Sequence, residues 1–251
     1  ILSVTAKIFH QISSSNITTI HFSYLCSRKN QQDSYNHMKI TQPRIAKDLK
    51  ENADLVTTFC CDDDMENCLC RNQVITYIEK EHFSIQSCTF TNCSFSDCKI
   101  KKSQFTDVIK NCDLSNINLS GCSFFRVEFI DCKLTGTNLT EGTFNQILFK
   151  QCKGDYINLS TGKLRTVYFT ECNLQSGSMD NCQFTSVAFD TCNLVETEFH
   201  RTNLKGINFT SSNIAGIRIS TLPINELRGA KVTSLQAIEI ARMLGVIIED
   251  I

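Results

Sequence analysis

An apolar residue returns at every fifth position from Leu114 to Ile219, with one exception. The run passes through Phe124, Phe129, Leu134, Phe144, Phe149, Phe169, Phe189 and Phe209, and fails only at Gly154. A spacing of five fits neither a helix, at about 3.6 residues per turn, nor a strand, at about 2. A fixed period held over this length predicts a solenoid built from one small repeated unit. The register continues upstream through Ile85, Phe90, Phe95, Ile100 and Phe105. The next member is Leu114, nine residues on rather than ten, so one residue is missing near Val108–Asn111. That reads as a slip or kink within one stack, not as a domain boundary.

The position two before each central residue is restricted as well. From 112 to 217 it holds Cys, Ile, Val, Thr, Ser or Gly, and no aromatic or charged residue. The position just before the centre is Asn or Asp in nine of the 22 units, including Asn118, Asn138, Asn158 and Asn173. These side chains bond to nearby backbone at turns. A second period lies on the first. Every fourth centre gives Phe129, Phe149, Phe169, Phe189 and Phe209, and every fourth small position gives Cys112, Cys132, Cys152, Cys172 and Cys192. Like residues at spacing 20 predict four units per coil. Coils stacked at about 4.8 Å then carry like side chains in ladders. The expected section is four-sided, with the small and the central residue of each unit pointing inward.

The pattern small–Asn/Asp–Leu/Phe–x–x resembles the pentapeptide-repeat family. Cys112-Asp113-Leu114-Ser115-Asn116, Cys132-Lys133-Leu134-Thr135-Gly136 and Thr202-Asn203-Leu204-Lys205-Gly206 fit it at the small and central positions. The match covers about 85–221. The usual Ala of the small position is here largely Cys, Ile or Val. The C-terminal stretch Leu227-Arg228-Gly229-Ala230, then Ser234-Leu235-Gln236-Ala237 through Leu244-Gly245-Val246, resembles the tail of quinolone-resistance proteins of the Qnr and MfpA kind. The resemblance implies an all-β, right-handed quadrilateral β-solenoid with a C-terminal capping helix. It also implies a DNA-mimicking binder of a type II topoisomerase, DNA gyrase or topoisomerase IV, that protects it from fluoroquinolones. The alternative is a non-enzymatic interaction scaffold with another partner.

Four segments are expected. Residues 1–37 lack an initial Met, an apolar period and a signal-peptide pattern, and read as upstream translation or a disordered arm. Residues 38–84 form an irregular or helical entry that covers the first coil, whose ladder ends would otherwise be exposed. Residues 85–221 form the solenoid, and 222–251 a helix followed by a short strand at Val246-Ile247-Ile248. In that helix Thr233 and Gln236 have capping-box spacing, and Gly245 suits its C-terminal end. Its apolar surface, with Leu235, Ile238, Ile240, Met243 and Leu244, is wider than a one-sided helix needs. One reading buries all of it in the chain's own core. The preferred one gives the surplus to a homodimer with a two-fold axis at this end.

Fifteen cysteines raise disulfide and metal readings. Ten of them (Cys88, Cys93, Cys98, Cys112, Cys122, Cys132, Cys152, Cys172, Cys182 and Cys192) fall on the small inward position, where a free thiol acts as a small buried hydrophobe. So many free thiols favour a reducing, cytoplasmic setting. Cys60, Cys61, Cys68 and Cys70 surround Asp62-Asp63-Asp64 without the spacing of a zinc ribbon or finger, and an acidic turn is the reading preferred over a metal site.

The formal net charge of −1 argues against direct binding of nucleic acid, and no apolar run reaches the roughly 18 residues of a membrane span. No phosphate loop, zinc-protease helix or catalytic constellation appears, and neither a cofactor nor a metal is expected. His200 follows the centre Phe199 and should point outward, and Glu196 and Glu198 read as a solvated face. About 27 units at four per coil give about 32 Å of stack, over which a duplex carries about 19 charges. Residues 85–221 hold 12 acids against 13 bases, so mimicry requires clustered acids. Glu128, Asp131, Glu171 and Asp190, opposed by Lys150, make the candidate acidic face. Arg126, Lys163, Arg165 and Lys205 make a basic neighbour.

Overall fold

The computed structural model describes residues 40–220 and 226–249. The expected arm at 1–37, with Cys26, lies outside these residues, as do 221–225 and 250–251. The chain winds as a parallel β-solenoid in which each stretch pairs with the one 20 residues on. Phe144 faces Leu164, which faces Phe184, and Phe149 faces Phe169, which faces Phe189. Isolated bridges continue the ladder on other sides, as from Asn118 to Asn138 to Asn158. Central and small residues point inward together, and one continuous core runs up the stack.

The Phe129 column forms as the 20-residue period requires. Successive rings of Phe129, Phe149, Phe169 and Phe189 lie 4.8, 4.7 and 5.0 Å apart and within 10° of parallel. A second column runs Phe105, Phe124, Phe144 at 4.9 and 5.0 Å. Gly154 breaks the sequence pattern but not the ladder, because its N–H still donates to Asn173 O at 2.7 Å. A Cβ there would lie 3.1 Å from Leu174 Cδ2, so the next coil's leucine fills the space.

All ten inward cysteines are buried. The position is also a donor site. Cys152 Sγ donates to Phe129 O at 3.4 Å, Thr137 Oγ1 to Leu114 O at 2.7 Å, and Thr202 Oγ1 to Met179 O at 2.6 Å. Each bond reaches back 23 residues to the coil below. Cys, Thr and Ser therefore interchange here because all are small donors. Burial pushes the Cys122 and Cys182 thiols up to about 11, away from the reactive thiolate.

The missing residue lies in the strand Gln104–Lys110. Thr106 pairs with Gln86 but Val108 with Thr89, so Ser87 and Cys88 together oppose Asp107 alone. The shortened corner turns Asp107 inside, where it is fully buried.

The coil begins earlier than 85, which corrects the expected boundary. Asp64–Glu66 pairs with Ser84–Gln86, Leu69–Arg71 with Thr89–Thr91, Val74–Thr76 with Ser94–Ser96, and Glu79–Glu81 with Lys99–Lys101. Met65, Cys70 and Ile75 hold the central positions, but the fourth is Lys80, which hid the register. Lys80 is tolerated because its Nζ escapes to Asp62 O at 2.7 Å and Asp63 Oδ1 at 3.2 Å. The covering entry is Lys50–Asn52, paired with Cys68–Cys70, and helix α1 at Leu55–Cys61. Leu55 and Phe59 of α1 are buried, and the Phe59 ring lies 5.0 Å from that of Phe83.

At the far end, helix α2 spans Ser234–Met243 with the expected capping box between Thr233 and Gln236. Gly245 follows at φ +80°. The expected strand at Val246-Ile247-Ile248 does not form. A strand needs a ladder partner, and Ile247 is 87% exposed.

Candidate interaction surfaces

A solenoid side offers three outward positions per unit, so its chemistry follows from which columns coincide. Asp131 and Glu171 share a corner column, with Gln151 between them donating to Glu171 Oε2 at 2.9 Å. Asp131 also lines a corner groove of about 590 Å³ with Asn111, Asp113, Lys133 and Lys153. Glu128 and Asp190 occupy other columns. Glu128 stands in the ladder between Val108 and Leu148, half-buried, and burial raises its pKa. Asp190 follows Lys150 and Thr170 in its ladder and accepts from Tyr168 Oη at 3.1 Å and Ser211 Oγ at 2.9 Å. The four acids are thus split: one pair on a corner, the others flanked by apolar or neutral neighbours.

The basic set is equally spread. Arg126 turns back over the Phe125 ring, its Cζ 4.6 Å from the centroid. Lys163 and Arg165 lie on one strand between neutral partners: Thr143 and Gln183 for the lysine, Asn145 and Thr185 for the arginine.

The C-terminal end differs from the sides. Gln236 Nε2 donates to Phe209 O at 3.0 Å and Ser212 O at 2.8 Å, which ties α2 to the last coil by its polar stripe. Ile240 packs against the core, which places it on the inner side of the helix. Leu235, Ile238, Met243 and Leu244 are exposed, and no residue of α2 is fully buried. Cys60 and Cys61 are exposed while Cys70 is fully buried, so the four N-terminal thiols do not face one another as a set. Desolvation pushes the Cys70 thiol up to about 12. Among the described residues, one group of mixed ligand types converges: Asp180, Glu198 and His200. Sequence reading noticed Glu198 and His200 separately and missed Asp180, whose distance from His200 equals one coil.

Residues 122–199 match the family described as the pentapeptide repeat region. The match falls on coils joined by the 20-residue ladder. The chain is similar to a trypsin-treated form of QnrB1, a plasmid-mediated fluoroquinolone resistance protein, at 16% identity and TM-score 0.38, covering 72% of this chain and 100% of that one. Full-length QnrB1 aligns at 16% identity and TM-score 0.23, over 71% and 100%. HetL of the cyanobacterium Nostoc, a pentapeptide repeat protein involved in heterocyst differentiation regulation, aligns at 12% identity and TM-score 0.23, over 72% and 94%. No curated protein sequence matches the chain. No helix of the described residues is long and apolar enough to cross a membrane.

Proposed function

We propose that this protein acts by binding rather than by catalysis, as a homodimeric rod that occupies the DNA-binding surface of a type II topoisomerase, DNA gyrase or topoisomerase IV, in the cytoplasm. The observation that carries the reading is the end of the stack: a helix capped onto the last coil that leaves Leu235, Met243 and Leu244 in solvent. Two copies joined there double the stack and share the two-fold symmetry of such an enzyme. The resemblance of residues 227–246 to Qnr and MfpA tails supports the same partner. Asp131 and Glu171, on one corner, are the acids best placed to stand for duplex phosphates.

A second reading, a scaffold for another partner, is favoured by the division of the acids among columns. A DNA-supercoiling assay of gyrase, with and without a fluoroquinolone, separates the two. Inhibition of supercoiling or protection from the drug supports the topoisomerase reading. If neither occurs at any protein concentration, the scaffold reading stands.

A further inference from the structure

Repetition supplies a background against which departures stand out. On the side centred on Leu119, Leu139, Leu159, Met179 and Phe199, the residue before each centre reads Asn118, Asn138, Asn158, Ser178 and Glu198. The residue after each centre reads Ser120, Thr140, Ser160, Asp180 and His200. In the first three coils one turn bond repeats: the Asn Oδ1 accepts from the N–H two residues on, at 3.0, 3.1 and 3.0 Å. In the last two coils this arrangement is abandoned. Three ligating side chains replace the neutral ones, and the bond at His200 N is taken over by Asp180 Oδ1, from the coil below, at 2.8 Å.

We infer that Asp180, Glu198 and His200 form a divalent metal site that bridges two successive coils. One ligand atom from each side chain lies within 4.8 Å of the other two, and His200 Nδ1 is 3.1 Å from Asp180 Oδ1. Ligands held at about 2.0–2.2 Å from one ion lie about 3–4 Å apart, so little movement closes the set. One imidazole and two carboxylates form an N/O set suited to zinc, cobalt or manganese, with water completing the shell. All three side chains are half-buried, which limits the freedom lost on binding. Arg218 Nη1 sits 2.9 Å from Glu198 Oε1 and competes with the ion for that carboxylate. The ladder explains why the ligands meet: Ser178 pairs with Glu198, so Asp180 and His200 are stacked neighbours.

The test is titration of the full chain with Co²⁺, followed by absorbance, with calorimetry using Zn²⁺ in parallel. One saturable equivalent is expected, with weak ligand-field bands and no thiolate charge-transfer band. Asp180→Asn, nearly isosteric, and His200→Ala should each weaken binding about tenfold or more. Arg218→Gln should tighten it. Metal should raise the thermal midpoint of the wild type and not of Asp180→Asn. Affinity within twofold of wild type in a folded Asp180→Asn variant overturns the site. So does a spectrum carried by thiolates alone, which would place the ion on Cys60 and Cys61.

Discussion

At the scale of single residues, the corners carry most of the conformational cost. Twenty-five non-glycine residues of the described chain have φ between 50° and 62°, and all stand two positions after a centre or in line with that series. Left-handed backbone costs roughly 1–2 kcal/mol for a residue with a Cβ. The ladder offsets it, since each corner N–H reaches the next coil, as Asn116 N does to Thr135 O at 2.9 Å. Asn and Asp tolerate the conformation best, and β-branched residues worst. Thr166, at φ 55°, should therefore be improvable: Thr166→Asn is expected to raise stability by about 1 kcal/mol in urea unfolding.

Asp107 presents the opposite problem. It is fully buried, Oδ1 accepts from Cys88 N at 2.7 Å, and Oδ2 has no partner. Burial holds its pKa well above the usual carboxylate range. The neutral form is favoured on folding, so its contribution is complete below about pH 4 and is lost as pH rises through the folded value. Asp107→Asn should remove that loss. The difference in denaturation midpoint between variant and wild type should grow from pH 4 to pH 8, in favour of the variant.

Among elements, the ring columns show how a repeat converts identity into packing. Phe169 is fully buried and stacks on Phe149 at 4.7 Å and Phe189 at 5.0 Å. Phe169→Ala removes one member of a rigid ladder whose neighbours are held by their own coils and cannot collapse inward. A loss of about 3–5 kcal/mol is expected from chemical denaturation. Helix α2 is held differently, by Ile240 against the core and by one glutamine that both closes the capping box and bonds the last coil. The capping box was visible as Thr233 and Gln236, three residues apart. The second task of Gln236 was not, because its acceptors Phe209 O and Ser212 O are backbone atoms at the end of a stack. Lys80 likewise concealed one whole coil, since a charged residue at a centre reads as a break until its route to Asp63 is seen.

For the whole molecule, the decisive question is what covers the C-terminal end. With Ile240 turned to the core and Met243 exposed, the two positions should respond differently to charge. Met243→Glu is expected to give monomers with an unchanged β-rich circular dichroism spectrum, while Ile240→Glu should also lower stability. Light scattering of the wild type at micromolar concentration checks the premise: a dimer is expected.

The repeat itself was determined by sequence alone. A period of five, overlaid by 20, is local, redundant over many units, and compatible with no other regular element. The ten inward cysteines and the Phe129 column follow from it, and the capping box is legible separately from the spacing of Thr233 and Gln236. Tertiary structure decided what depends on pairs of coils. One missing residue turned Asp107 inward because two residues of the neighbouring coil had to share its place. The C-terminal apolar stretch stayed unpaired because a strand exists only against a partner. The acids fell into separate columns because a shift of one residue moves a side chain from corner to face. Asp180 met His200 only because the ladder set them one coil apart on the same side.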